Sequence, residues 1–307
     1  VDKWRILVLI NLYKNAFLLQ KMRKKINPMF GNTISWIIIN LAKDNAVQVK
    51  NKPREVILMQ ISETASLTNY LLPVYQRKVN HPAIIILPGG SYTFISQRES
   101  YPVAVAFNAI GMQSFVLDYT TWEKNHQFTF QMLVNEVKKT IDYIVDNAEV
   151  LRVDPEQIYI IGFSAGAHLA AISGSLFYRY IKRVILAYPA LTSKYLPEDK
   201  NVFYSKLSIE DKTSIFNILS VDASDYISKN TPPTFIWSTY EDQIVDVQGI
   251  LDYIRRLNHT KIACEFHLFE KGQHGLSLAN ESTAMGKDDI DDHVAKWFFL
   301  LKEWLKN

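Results

Sequence analysis

Cysteine is almost absent from this chain: Cys264 is the one thiol in 307 residues, so no disulfide can form within it and a reducing, cytoplasmic setting is expected. Long apolar runs are missing as well. No stretch of about 18 uninterrupted apolar residues occurs, which excludes the usual kind of spanning helix. Charge of one sign is scarce, with a net +3 and a single dense basic cluster at Lys21, Arg23, Lys24 and Lys25. That is too little for a nucleic-acid reader. No histidine or cysteine cluster has ligand spacing, so neither a metal nor an organic cofactor is implied. Internal repeats and low-complexity tracts are lacking. Lys3 and Arg5 precede the apolar Ile6 to Ile10, but Asn11, Lys14 and Asn15 interrupt that run and no small-residue cleavage site follows, so no secretion signal is expected.

What remains is a chain that is 48% hydrophobic, enough to bury one large core. At 100° per residue, Lys3, Asn11, Lys14, Asn15 and Lys21 fall on one side of an otherwise largely apolar helix. Residues 1–50 are therefore expected as an amphipathic helical arm, whose residues 3–22 dock on the domain, cover a pocket or touch a membrane surface. Residues 51–307 are expected as one catalytic domain. Within it Val56 to Ile61 and Tyr70 to Arg77 read as an antiparallel pair of strands. Ala83 to Leu87 reads as a strand buried on both faces, and Ser96 to Glu99 carries capping-box spacing ahead of a helix through Val103, Ala106 and Phe107.

Strands at Gln113 to Tyr119, Gln157 to Ile161, Arg183 to Tyr188, Thr234 to Thr239 and Ala263 to Phe269 then alternate with helices at Phe130 to Val145, Ala165 to Ser173, Val247 to Leu257 and Asp291 to Leu305. Asp154-Pro155 reads as a turn leading into the second of these strands, the one before Ser164. Such alternation predicts an α/β fold, a mostly parallel central sheet with helices on both faces and ligands at the carboxyl ends of its strands. Residues 190–231 lack the rhythm and are expected as a lid or loop insertion beside the site.

Gly162-Phe163-Ser164-Ala165-Gly166 joins a strand to a small-residue helix. Glycines on either side of a serine permit a turn so tight that the hydroxyl is thrust outward at a helix N-terminus, a nucleophile's position. A serine hydroxyl needs a base and a group to orient that base. Of the 7 histidines, His274 follows a strand on a glycine-flanked loop and is the candidate base. His168, four residues into the helix, points away from the turn and reads as structural. In the loop after Thr239, Asp242 is the candidate acid, since it stands directly before Gln243-Ile244-Val245, whereas Glu241 is one position early and one methylene too long. The order Ser164, Asp242, His274 is that of an α/β-hydrolase triad. The amides of Gly90 and Ser91, in Pro88-Gly89-Gly90-Ser91-Tyr92, and of Ala165 are the candidate donors to a developing oxyanion. Tyr92, Phe163 and Tyr188 are candidate pocket residues that would favour a short acyl chain. Cys264 reads as a small buried filler.

Four stretches carry a resemblance to the α/β-hydrolase superfamily, and within it to the acetyl-esterase and lipase-like carbohydrate esterases, in a bacterial branch of small cytoplasmic members. They are Leu87 to Tyr92, Ile158 to Ala171, Thr231 to Trp237 and Phe269 to Leu276. Ser91 stands where that family has a third glycine, Ala167 where it has glycine, and Ser238 and Asp246 where histidine and proline are common. The resemblance implies a serine hydrolase acting on a small-molecule ester, an acetyl group on a sugar or similar alcohol. An aryl formamidase using the same residues, or a binding protein on a hydrolase scaffold, are the alternatives.

Overall fold

The computed structural model describes residues 55–73, 79–195 and 208–306. The arm expected over 1–50, with its amphipathic 3–22, lies outside the described residues. Among the described residues, eight strands form one sheet in the order β1-β2-β4-β3-β5-β6-β7-β8. They are β1 (Glu55–Gln60), β2 (Ser66–Leu71), β3 (His81–Leu87), β4 (Gln113–Asp118), β5 (Val153–Phe163), β6 (Ile181–Ala187), β7 (Thr234–Thr239) and β8 (Cys264–Phe269). β1 and β2 pair antiparallel, β2 pairs antiparallel with β4, and every later pairing is parallel.

The run Ile84-Ile85-Ile86-Leu87 needs no polar face because the sheet is covered on both sides. Successive side chains of a strand point to opposite faces, and accordingly Ile85 and Leu87 enter one buried cluster while Ile84 and Ile86 enter the other. The first cluster packs under the helices α2 (Phe130–Asp146), α4 (Ala165–Leu176) and α6 (Val247–His259), which contribute Val137, Leu169 and Ile250. The second lies under α1 (Tyr101–Ala109) and α7 (Lys296–Trp304), through Phe107 and Trp297. The short α3 (Ala148–Leu151) leads into β5, and α5 (Ile209–Leu219) lies within the 190–231 segment. Thr129 caps α2 and Asp246 caps α6, each accepting an amide of the first turn, from Met132 and Gln248.

Several boundaries differ from expectation for physical reasons. β2 starts at Ser66, earlier than Tyr70, because Ser62 Oγ accepts the amides of Thr64 and Ala65 and closes a tight turn. It ends at Leu71, two residues before Pro73, which has no N–H to give the ladder; residues 74–77 of the expected strand lie outside the described residues. Asp154-Pro155 falls inside β5, where the pairing with β3 shifts register between His81 and Ala83. The last helix starts at Lys296, not Asp291, because Asp291 Oδ1 accepts the amides of His293 and Val294 and forms a separate turn. Ser96 makes no side-chain cap and precedes a single 3-10 turn, Gln97–Glu99, with Glu99 turned inward. The capping-box reading is therefore corrected. In the 190–231 segment, short turns at Ser193–Tyr195 and Ala223–Tyr226 flank α5. No helix among the described residues is long and apolar enough to cross a membrane.

Candidate active site

Ser164 sits between β5 and α4 with φ 51° and ψ −117°, a strained conformation for any residue with a side chain. Its neighbours explain why that conformation is reached. A Cβ on Gly162 would lie 2.2 Å from the Gly166 carbonyl oxygen, and one on Gly166 would lie 2.1 Å from that of Leu87. Only bare backbone fits on both sides, so the strand, the turn and the helix close together and the serine points out of the bend.

His274 and Asp242 arrive from the ends of β8 and β7. Ser164 Oγ is 2.8 Å from His274 Nε2, and His274 Nδ1 is 2.7 Å from Asp242 Oδ2. The other oxygen of Asp242 accepts the amides of Ile244 and Val245, both at 2.9 Å. With Oδ1 committed to these amides, Oδ2 faces the ring and accepts the hydrogen bond that Nδ1–H donates. Nε2 is then the bare nitrogen and the Ser164 hydroxyl donates to it. The Asp242 side chain is 1% exposed and that of His274 13%, so the acid is shielded while the imidazole edge reaches the crevice. The loop before His274 turns at Gly272 (φ 125°), whose Cβ would press on Leu276 and Thr239 at 2.9 Å. Glu241 accepts the Gly272 amide at 3.4 Å and Asp246 caps α6, leaving Asp242 as the acid that meets His274.

The loop after β3 reverses through three consecutive positive-φ residues, Gly90 (124°), Ser91 (55°) and Tyr92 (59°). A Cβ on Gly90 would fall 2.1 Å from the Phe94 carbonyl oxygen. The Gly90 carbonyl accepts the amides of Thr93 and Phe94, Tyr119 donates to the Pro88 carbonyl at 2.6 Å, and Trp122 donates its amide to Tyr92. These bonds fix the loop beside the start of α4, where Ala165 lies.

The expected pocket residues are placed differently. Tyr92, Phe163 and Tyr188 are all buried. Tyr92 directs its hydroxyl to His168 Nδ1 at 2.8 Å, Phe163 packs against Tyr188 and Trp297, and the Tyr188 ring lies 5.0 Å from that of His274. All three are thus packed among the protein's own side chains, with Tyr188 directly against the His274 ring. His168 is buried too, its Nε2 2.6 Å from the Val221 carbonyl oxygen, and desolvation holds its pKa down at about 4. Cys264 is half-buried, with burial pushing the thiol up to about 12.

One residue escapes the sequence reading. Glu99 is buried beneath the anion loop, accepting the Gly89 amide at 2.6 Å and the Tyr188 hydroxyl at 2.5 Å. Burial raises its pKa, against the lowering effect of the Tyr188 and Gly89 bonds. Its spacing from Ser96 carried a helix-start meaning, and only the inward turn of the chain reveals the acid.

The sheet order and the turn at Ser164 define the architecture of an α/β hydrolase. A family model, BD-FAE, matches residues 70–183. A sugar hydrolase from Lactococcus lactis is 34% identical, superposes with a TM-score of 0.72, and is matched over 82% of this chain and 97% of its own. Endo-1,4-beta-xylanase B of Butyrivibrio fibrisolvens is 27% identical over 238 residues, 72% of this chain and 36% of that protein. Acetylxylan esterase of Xylanibacter ruminicola is 25% identical over 216 residues, 64% of this chain and 41% of that protein. The chain thus corresponds to well under half the length of these two curated relatives. It belongs to the α/β-hydrolase superfamily.

Proposed function

We propose that this chain hydrolyses small carboxylic esters, with an acetyl group on a sugar or similar alcohol as the substrate. The observation that carries the reading is the hydrogen-bonded line from Ser164 Oγ through His274 to Asp242. In this scheme Ser164 Oγ bonds to the acyl carbon as its proton passes to His274 Nε2. The imidazolium returns that proton to the alcohol oxygen as the C–O bond breaks, leaving an acyl-enzyme. Water then bonds to the acyl carbon as its proton passes to His274 Nε2, and the imidazolium returns that proton to Ser164 Oγ as the acyl–Oγ bond breaks and the acid leaves. Asp242 holds the tautomer that leaves Nε2 free and stabilises the ring when it is charged. The amides of Gly90, Ser91 and Ala165 receive the oxyanion, where each lost donor typically costs about 3 kcal/mol.

The sugar acetyl part of the reading is supported by the acetylxylan esterase and sugar hydrolase likenesses. A covering role for the 190–231 segment is part of the proposal, supported by the Ala190 amide, which bonds the Ser164 carbonyl at 3.2 Å; its residues 196–207 lie outside the described residues. A cytoplasmic setting belongs to the same proposal and rests on Cys264.

A fluorophosphonate probe compared on wild type and Ser164→Ala tests the nucleophile: label is expected on wild type only. Unlabelled wild type would favour a ligand-binding protein. Release of acetate from acetylated xylo-oligosaccharides is then expected to outpace release of formate from aryl formamides. The reverse order would reassign the substrate to an amide.

A further inference from the structure

We propose that Glu99, acting through Tyr188, is a positioning residue that ties the anion loop to the loop carrying His274; the inference rests on the ester-hydrolysis reading above and deepens it. Two loops have to face each other across Ser164, one presenting amides to the oxyanion and the other presenting the base. They come from opposite ends of the sequence and share no strand. Glu99 is the carboxylate on which both converge. Its Oε2 accepts the Gly89 amide at 2.6 Å, next to the proposed donors at Gly90 and Ser91. Its Oε1 accepts the Tyr188 hydroxyl at 2.5 Å, and the Tyr188 oxygen in turn accepts the Ser277 amide at 3.0 Å, three residues beyond His274.

The preceding residue grips the same loop. Arg98 pairs with Asp289 at 3.2 Å, and Asp289 Oδ1 accepts from Gln273, the residue before His274, at 2.7 Å. Ser277 Oγ donates to the Arg98 carbonyl at 2.9 Å. Adjacent residues 98 and 99 therefore fasten the His274 loop on both flanks, and the second of them also fastens the anion loop. The space is close-fitted: a Cβ on Gly89 would lie 2.8 Å from Glu99 Oε2 and 3.1 Å from Ser164 Cβ.

An apolar side chain in this position would avoid the desolvation penalty of a buried carboxyl group. It would also leave the Gly89 amide and the Tyr188 hydroxyl without their acceptor, freeing the two loops to move independently. A carboxylate has two acceptor oxygens set at a fixed angle, and here each serves one loop. Because these bonds hold geometry and not substrate, their loss should lower the rate at saturation while leaving affinity nearly unchanged.

The test uses p-nitrophenyl acetate with wild type, Glu99→Gln, Tyr188→Phe and the double variant, each first titrated with a fluorophosphonate. Failure of wild type to label would refute the ester-hydrolysis reading itself, separately from this inference. With wild type labelled, each single variant is expected to lose roughly tenfold or more in kcat with KM held within about threefold. The double variant is expected to lose clearly less than the product of the two single losses, since both break one link. Unchanged kcat in either folded single variant, a change confined to KM, or losses that multiply independently would each overturn the proposal. If Glu99→Gln does not fold, Tyr188→Phe decides alone by the same kcat and KM criteria, because it keeps the ring and removes one oxygen.

Discussion

Asp242 divides its two oxygens between tasks: Oδ2 meets His274 Nδ1 at 2.7 Å, while Oδ1 is held by the Ile244 and Val245 amides. This division fixes what an asparagine would do. In Asp242→Asn the remaining oxygen is claimed by the two amides, so the NH2 group must face Nδ1 and donate to it. The ring then carries its proton on Nε2 and cannot accept from Ser164. The expected loss in kcat is about 10³- to 10⁴-fold, with KM little changed. Steady-state rates on a small acetate ester check it; a loss under tenfold would deny the orienting role.

Gly162 should tolerate no side chain. In Gly162→Ala the new methyl meets the Gly166 oxygen at 2.2 Å and the Ala167 Cα at 2.5 Å, and both are backbone atoms at the start of α4. Urea unfolding should show a loss of about 3 kcal/mol or more, with activity falling further than stability. Gly286→Ala is the control, having nothing within 4 Å, and should stay within about 0.5 kcal/mol of wild type.

The buried His168 makes stability depend on pH. Desolvation lowers its pKa from 6.5 to about 4 in the folded chain, so below 6.5 the unfolded chain binds a proton that the folded chain refuses. The stabilising contribution is complete above 6.5 and drains away as pH falls toward 4, by up to roughly 3 kcal/mol. Between pH 7 and 4.5 wild type should therefore lose more unfolding free energy than His168→Gln, which has no titrating ring. Parallel pH profiles would contradict this.

The Cys264 thiol, pushed up to about 12 by burial, should resist iodoacetamide at pH 8 in the folded protein and react once urea unfolds it, because the thiolate is the nucleophile. Mass spectrometry of the alkylated chain reads the result.

Much of this was legible in the sequence, where local chemistry and strand order decide the outcome. The two-faced burial of Ile84 to Leu87 and the glycines around Ser164 announce a covered sheet and a tight turn, and residues on loops after successive strands converge when those strands are parallel. The boundaries went astray where a side chain overrode the pattern, as Ser62 did at β2 and Asp291 at α7. The support beneath the site was not legible. Whether Tyr92 or Tyr188 faces a ligand or the interior depends on positive-φ turns that no periodicity reveals, and Glu99 finds Tyr188 across 89 residues. The arm before residue 51 lies outside the described residues.

His168 also links two neighbours of α4. One ring nitrogen meets Tyr92 in the anion loop and the other meets the Val221 carbonyl in the 190–231 segment. Anyone exchanging that segment to retailor the enzyme inherits a constraint: the graft must return a carbonyl to the Val221 position. Otherwise a buried ring nitrogen is stranded four residues from the nucleophile, and the penalty reaches the chemistry without any change in the residues that perform it.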